Sequence, residues 1–426
     1  MNQWNRRDWL KWVGTGATVT SLAACATSGT SAPKARVVVV GGGYGGATAA
    51  KYLRLWGGND IAVTLIEREA QFVSCPMSNL VLGGSRKMQD ITVSYDNLRS
   101  RHGINVVQDS ALAIDGVKKM VRTRSGREFA YDFAIVSPGI EIQFDTVKGY
   151  DANAQQTVLH AWKAGAQTAA LRQQLEAMPD GGVYVLGIPR APYRCPPGPY
   201  ERACQVAHYF KTSKPKSKVL ILDGNADITS KAGLFRKAFT EQYGGIIEYR
   251  NNSLVTELDA QGKTVTLEIG DKVKGDVLNI VPQMRAGDIA RDAGLITANN
   301  RWCEVDWLTT ESIKVKGVYV LGDATLSAPG MPKSGHMANQ HGKTAAAAII
   351  EQINGRSPVA PMMANTCYSY VDDKKVVHVA SVHRYVAEKK TMEVVPGSGG
   401  LSSAANELEG IYAWQWAQNI WADMLA

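Results

Sequence analysis

Three glycines at fixed spacing are the first residues whose pattern implies chemistry. They stand in Gly41-Gly42-Gly43-Tyr44-Gly45-Gly46, a Gly-x-Gly-x-x-Gly run. In such a run Gly41 permits the tight turn, Gly43 lets the backbone approach a pyrophosphate, and Gly46 lets a helix close against a strand. Glu67 follows about 20 residues later, the position of an acid that grips an adenosine ribose. The six cysteines, Cys25, Cys75, Cys195, Cys204, Cys303 and Cys367, form the second set. No CxxC or CxxCH joins any of them, which excludes zinc-finger and haem-attachment readings. The seven histidines are scattered without ligand spacing, so no metal site is expected.

These residues need elements to hold them. Residues 36–40 read as a buried strand running into the glycine turn, and residues 47–53 open a helix whose N–H groups would face the phosphates. A second strand, 61–66, ends at Glu67. A further strand at 182–187 begins a similar unit, but its turn reads Ile188-Pro189-Arg190-Ala191-Pro192-Tyr193-Arg194-Cys195-Pro196-Pro197-Gly198. Proline has no N–H to offer a phosphate, so conventional nicotinamide binding is not expected there. Strands at 218–222 and 246–249 keep that domain intact. Cys204, three residues into the next helix beside Ala203, Val206 and Ala207, reads as core. Cys303 reads as incidental. Pro332-Lys333-Ser334-Gly335-His336 opens a long helix through Ile350. Residues 376–382 form a candidate strand, and 408–425 a helical run carrying Trp414, Trp416 and Trp421 that suits core packing or docking.

Composition sets the outer bounds. With 426 residues, two or three domains are expected. Hydrophobic content of 45% and charged content of 20% exclude a wholly disordered chain or a coiled coil. The net charge of +8 comes from dispersed lysines and arginines, so nucleic acid is not an expected partner. The start reads as an export leader. Arg6 and Arg7 precede a mildly apolar run, the pattern of a twin-arginine signal, and imply a periplasmic protein. Leu22-Ala23-Ala24-Cys25 matches a lipid-attachment box; Cys25 is either a lipid anchor or lies just ahead of an ordinary cleavage site. No stretch reads as a transmembrane span.

Two later segments complete the nucleotide reading. Phe133 to Gly139 (FAIVSPG) resembles the middle motif of the flavoproteins with two dinucleotide domains. Gly317 to Ala324 resembles their second FAD motif, in which Asp323, after Gly322, holds the ribityl chain. FAD is therefore the expected cofactor. VSCPMSNLVLGG at 73–84, APYRCPPGPYERACQVA at 191–207, VPQMRAGDIARDAGL at 281–295 and MANTCYSYV at 363–371 are more specific. Over nearly the whole mature chain the sequence resembles the flavoprotein subunit of flavocytochrome c sulfide dehydrogenase, within the pyridine-nucleotide disulfide oxidoreductase superfamily.

The resemblance implies an α/β fold with two Rossmann-like, glutathione-reductase-type three-layer domains and a small α+β C-terminal domain. The expected divisions are 1–33 leader and linker, 34–145 first part of the FAD domain, 146–276 second Rossmann-like domain, 277–360 second part of the FAD domain, and 361–426 C-terminal domain. It implies covalent FAD at Cys75, although Pro76 departs from the bulky residue usual after that cysteine; the bland alternative is a buried, unreactive thiol. It implies a redox-active disulfide between Cys195 and Cys367, with Glu201 moving protons; otherwise Glu201 is a helix-start acid near Arg202. Lys333 is either a helper of reduced flavin or a solvated lysine, and His336 either a base or, as expected, a helix-start packing residue. The implied activity is oxidation of sulfide to zero-valent sulfur or polysulfide. Electrons would pass to a c-type cytochrome, a partner subunit or a soluble protein, that carries the haem. A membrane-associated sulfide:quinone oxidoreductase and an accessory flavoprotein of a thiosulfate-oxidising system are the alternatives.

Overall fold

A computed structural model describes residues 32–426. Arg6, Arg7 and Cys25, on which the export and lipid-anchor expectations rest, lie outside the described residues.

The chain first lays down β1 (Ala35–Val40), α1 (Tyr44–Gly57), β2 (Ile61–Glu67), α2 (Ser78–Gly83), β3 (Asn105–Gln108) and β4 (Phe133–Val136). It then builds a second unit from α3 (Ala166–Ala177), β5 (Val183–Ile188), α4 (Gly198–Ser213), β6 (Lys218–Asp223), β7 (Ile247–Arg250) and β8 (Val277–Ile280). It returns through β9 (Val318–Val320) and α5 (Gly335–Ile353). It ends with β10 (Met362–Tyr370), β11 (Val376–Val386), β12 (Thr391–Val394) and α6 (Glu407–Leu425).

Two parallel sheets result. The first has the order β9-β4-β1-β2-β3 and the second β7-β6-β5-β8. β1 is buried at every position but Arg36, as expected of a β-branched strand covered on both faces. These are tandem Rossmann-like domains with a smaller α+β region at the C-terminal end. β9 adds to the first sheet some 180 residues after β4, so that domain is discontinuous. The two crossings between the domains pair with each other, Ile140–Ile142 running antiparallel to Met284–Ala286.

The last region is a meander of β10, β11 and β12 with α6 packed against the first domain. α6 buries Ala413, Ala417, Ile420, Trp421, Met424 and Leu425. Its Trp421 indole N–H reaches Tyr44 Oη at 3.0 Å, and Asp423 accepts from Tyr52 Oη at 2.5 Å and pairs with Lys343 at 2.9 Å. Among the described residues no helix is long and apolar enough to cross a membrane.

Two boundaries move. Val277–Ile280, which the sequence divisions place in the second part of the FAD domain, pairs with Val183–Ile188 in the second sheet. The helix after the cysteine loop starts at Gly198, with Pro199 in its first turn, so Cys204 lies a full turn deeper than expected. It is completely buried, as a core residue should be.

Candidate active site

The glycine turn joins β1 to α1. Gly41 takes φ +95°, and a Cβ on Gly46 would lie 1.8 Å from Gly41 O, so both positions require glycine. A Cβ on Gly43 would meet nothing within 4 Å. The protein leaves that side open, and Gly43 caps α1 without a side chain. The first N–H groups of α1 are thus free of side-chain partners, the arrangement that receives a phosphate. Glu67, at the end of β2, accepts from Gly42 N at 2.6 Å and from Glu69 N at 2.9 Å. Each carboxylate oxygen keeps a lone pair for a ribose hydroxyl.

Gly322 and Asp323 follow β9 at the carboxyl edge of the same sheet. Asp323 Oδ1 is buried without a partner. Burial raises the Asp323 pKa, while Arg194 and Lys333 pull it down. An orphaned buried carboxylate oxygen is costly unless a ligand hydroxyl meets it. The open side at Gly43, the uncapped helix start, Glu67 and Asp323 together fit a dinucleotide lying across the sheet. Lys333 is buried rather than solvated. Its ammonium donates to the carbonyls of Asp323, at 3.1 Å, and Thr325, and sits 3.7 Å from the Trp302 ring centroid. Burial pushes its pKa down to about 8.

The second turn has the same strand–turn–helix course and a different interior. Cys195 adopts φ +60°, and its N–H donates to Lys333 O at 2.9 Å, which ties the loop to the first domain. Arg194 donates to the Trp162 carbonyl, and the Trp162 indole N–H returns a bond to Arg194 O at 3.2 Å. The Arg194 guanidinium also reaches Cys75, which accepts from Ala164 N at 3.4 Å. The acid at the end of β6, Asp223, is fully buried and used by its own domain. It accepts from Tyr200 Oη at 2.7 Å, Tyr249 Oη at 3.0 Å and Asn225 N at 2.9 Å. An acid in this place would serve a nucleotide ribose if it were free.

Cys367 comes from the middle of β10. Asn365 Nδ2 approaches its sulfur at 3.5 Å, and Asn365 Oδ1 accepts from Ser334 Oγ at 2.7 Å. Ser334 in turn caps α5, accepting from Met337 N at 3.1 Å. The five described cysteines all carry free thiols. Cys195 and Cys367 each lie within electrostatic reach of Glu201 and of Lys231. Burial pushes both thiols up. The Cys367 charge and Glu201 add to this at Cys195, while Arg194 and Lys231 oppose it.

Glu201, in the first turn of α4, is 7% exposed. It accepts from Asn79 Nδ2 at 3.0 Å and from Tyr370 N at 3.0 Å. Burial raises its pKa against those two bonds. Arg202 does not pair with it. That guanidinium goes to Asn79 Oδ1, Asn279 Oδ1 and the carbonyls of His160 and Ala161. His336 Nδ1 accepts from Thr366 N at 3.0 Å and its ring packs on Trp416, a structural role. Cys303 is buried beside Lys333, with its pKa raised to about 12 by burial.

The fold thus gathers Cys75, Cys195, Cys367, Glu201, Asp323 and Lys333 around the seam between the two domains and the C-terminal sheet. Sequence reading missed Lys231, Arg194, Asn79 and Asn365. Three of them lie inside the specific segments quoted above; Lys231 carries no local signal. Among the described residues no group of three metal-ligating side chains converges. A cavity of about 520 Å³, lined among others by Val183, Lys218, Ile247, Lys272 and Lys274, lies toward the amino ends of β5, β6 and β7. Ligand crevices of parallel sheets open at the carboxyl ends, so it is separate from this site.

The family description "Pyridine nucleotide-disulphide oxidoreductase" matches residues 35–187. "Sulfide dehydrogenase (flavocytochrome c) flavoprotein chain, central" matches 168–282, and "Flavocytochrome c sulphide dehydrogenase, flavin-binding" matches 359–425. The chain is 25% identical over 300 residues to the mitochondrial sulfide:quinone oxidoreductase of Dictyostelium discoideum, covering 68% of this chain and 65% of that protein. A sulfide dehydrogenase (flavocytochrome c) flavoprotein chain from Chlorobaculum thiosulfatiphilum is 61% identical over 46 residues, 11% of this chain and 94% of that sequence. The sulfide:quinone oxidoreductase structure from Aquifex aeolicus superposes with a TM-score of 0.73 at 20% identity, covering 91% of both chains. The chain belongs to the FAD-binding pyridine nucleotide-disulphide oxidoreductases. Within them it is related both to flavocytochrome c flavoproteins and to sulfide:quinone oxidoreductases.

Proposed function

We propose that this protein oxidises sulfide to zero-valent sulfur through Cys195 and Cys367, with FAD held by Gly41, Gly43, Gly46, Glu67, Gly322 and Asp323. The carrying observation is the convergence of two cysteines from separate domains beside one buried acid, Glu201, and one buried ammonium, Lys231. Hydrosulfide attacks a disulfide formed by the two cysteines. One sulfur becomes a hydropersulfide and the other a thiolate, the ordinary course of thiol–disulfide exchange. Glu201 takes or returns the proton. A second sulfur nucleophile attacks the outer sulfur, the bond from that sulfur to the cysteine breaks, and a polysulfide departs leaving a second cysteine thiolate. Bound flavin supplies a two-electron acceptor that can pass electrons on singly. Arg194 and Lys333 place positive charge beside Asp323 and the cysteines. Cys75, within reach of Arg194, is the residue for covalent FAD attachment.

The acceptor divides the relatives. The longer curated matches carry quinone in their names, which favours a quinone. The two flavocytochrome c family matches favour a c-type cytochrome, with haem on that partner. Export by the twin-arginine route to the periplasm goes with the second reading.

Anaerobic mixing of the FAD-loaded protein with sulfide tests the common core. Rapid loss of flavin absorbance is expected; unchanged flavin with a confirmed Cys195–Cys367 bridge would sink it. Adding cytochrome c or a short-chain quinone to the reduced protein separates the two acceptors. Acid precipitation tests Cys75, because covalent flavin stays with the protein pellet.

A further inference from the structure

Lys231 is the buried charge that the sequence does not explain. It is 5% exposed, on a loop that takes φ +56°, an unusual conformation for a side chain this long. The loop is held by Thr229, whose hydroxyl meets Tyr193 Oη at 2.8 Å and whose N–H donates to Tyr200 Oη at 3.1 Å. The ammonium therefore arrives from the second domain and ends against β10 and β11. It donates to Cys367 O at 2.9 Å, Ser369 Oγ at 2.7 Å and Val377 O at 3.3 Å.

All three acceptors are neutral. Among the described residues no carboxylate lies within ion-pair distance of Lys231. A buried ammonium without a counter-ion is costly, so a site that keeps one is prepared for an anion. The charges facing it are Cys367 from β10, Cys195 from the proline loop, Glu201 from α4 and, farther off, Glu409 from α6. Arg202 is saturated by carbonyl and amide oxygens, and Arg194 is turned toward Trp162 and Cys75. Lys231 is the cation left to answer charge on Cys367.

We propose that Lys231 is a positioning residue that supplies the counter-charge for anionic sulfur on Cys367, an inference resting on the exchange reaction above. Hydrosulfide brings one negative charge. Its lone pair forms an S–S bond to one cysteine, and the electron pair of the broken Cys195–Cys367 bond stays on the other as a thiolate. Sulfide sulfur is oxidised to the zero-valent level and the disulfide takes up the two electrons, so no further oxidant is needed. Whether Cys367 carries the thiolate or the ionised hydropersulfide, the charge lies beside Lys231. Burial lowers the Lys231 pKa to about 8, while Cys367, Glu201 and Cys195 favour its charged form. Each charge favours the other, so the two ionisations are coupled.

The test uses FAD-loaded full-length protein carrying Cys195→Ser and reads Cys367 alkylation by iodoacetamide against pH, with peptide mass spectrometry for site specificity. Lys231→Met should raise the apparent Cys367 pKa by at least ~1 unit and slow alkylation near neutral pH about tenfold. Lys231→Arg should hold it within ~0.3 unit of the lysine form. A Met variant with unchanged flavin spectrum and unchanged Cys367 pKa overturns the proposal, as does failure of Arg to rescue. The unsubstituted lysine, in the same Cys195→Ser protein, gives an independent reading that needs no folding of a Lys231 variant. Its alkylation profile should show two coupled ionisations, and a single one overturns the assignment. No sulfide enters these measurements. A failed sulfide reaction with an intact thiol shift would therefore sink the proposed activity, and a missing thiol shift the Lys231 assignment.

Discussion

The two strand–turn–helix units of this molecule start alike and end in different chemistry. Both place a turn at the carboxyl edge of a parallel sheet, between β1 and α1 and between β5 and α4. The first turn is emptied of side chains: Gly43 faces open space and Glu67 keeps lone pairs free. The second is filled. Prolines remove N–H donors, Tyr200 and Tyr249 consume Asp223, and a left-handed Cys195 stands in the turn itself. A Rossmann scaffold carries its catalytic identity in one loop, and the sheet beneath persists when that loop changes.

The contrast can be broken most severely at the sulfur atoms. Cys195→Ser or Cys367→Ser should slow sulfide-driven flavin bleaching by ~1,000-fold or more in stopped flow, with FAD content unchanged. A rate within tenfold of the parent would remove both cysteines from the reaction.

The next largest effect separates the turns themselves. Gly43→Val should weaken FAD retention about 10- to 100-fold, the scale of a ~1–3 kcal/mol overpacking penalty. Gly198→Ala, whose new Cβ would lie 2.8 Å from Cys195 Sγ, should disturb thiol reactivity and leave FAD retention alone. Equal losses of FAD in both variants would mean that the turns are not specialised in this way. FAD-to-protein absorbance ratios after gel filtration decide it.

Asp223→Asn sharpens the same point from the other acid. It weakens a buried, fully used acceptor, so stability should fall by ~1–3 kcal/mol while FAD content and sulfide reactivity hold. Thermal unfolding measures the loss. Gain of NADH binding by the variant would show that the Tyr200 and Tyr249 bonds to Asp223, and not the proline loop, had closed that site.

The smallest effect is in pH dependence. The Glu201 pKa is raised above its ordinary 4.5 by burial, so the folded state holds a proton that the unfolded chain has released. Its stabilising contribution is complete below about 4.5 and is lost as pH rises through the folded value. Glu201→Gln removes that proton, so the stability–pH curve should flatten there by up to ~1.4 kcal/mol for each pH unit of the window. An unchanged curve by denaturant titration would place the acid in a more polar setting.

Much of this was legible in the sequence because it is local. The β1 turn, Glu67 and α1 lie within a few dozen residues, and their spacing states their geometry. Strand and helix boundaries moved by only a few residues at Val183–Ile188, Ile247–Arg250 and Glu407–Leu425. The burial of Cys204 followed from its apolar neighbours on a helix.

Residue order alone thus dictates a pair of parallel α/β units, one with an intact nucleotide turn and one with a cysteine–proline loop. Family resemblance, not spacing, named Cys367 as the partner of Cys195. It took packing in three dimensions to set Lys231 beside those sulfurs, to spend Asp223 on tyrosines, and to turn Arg202 away from Glu201. The cause is range. Backbone periodicity and turn chemistry act over a few residues. A buried charge instead takes its meaning from whatever segments pack around it, and here those segments come from β10, α4, α6 and two loops far apart in the chain.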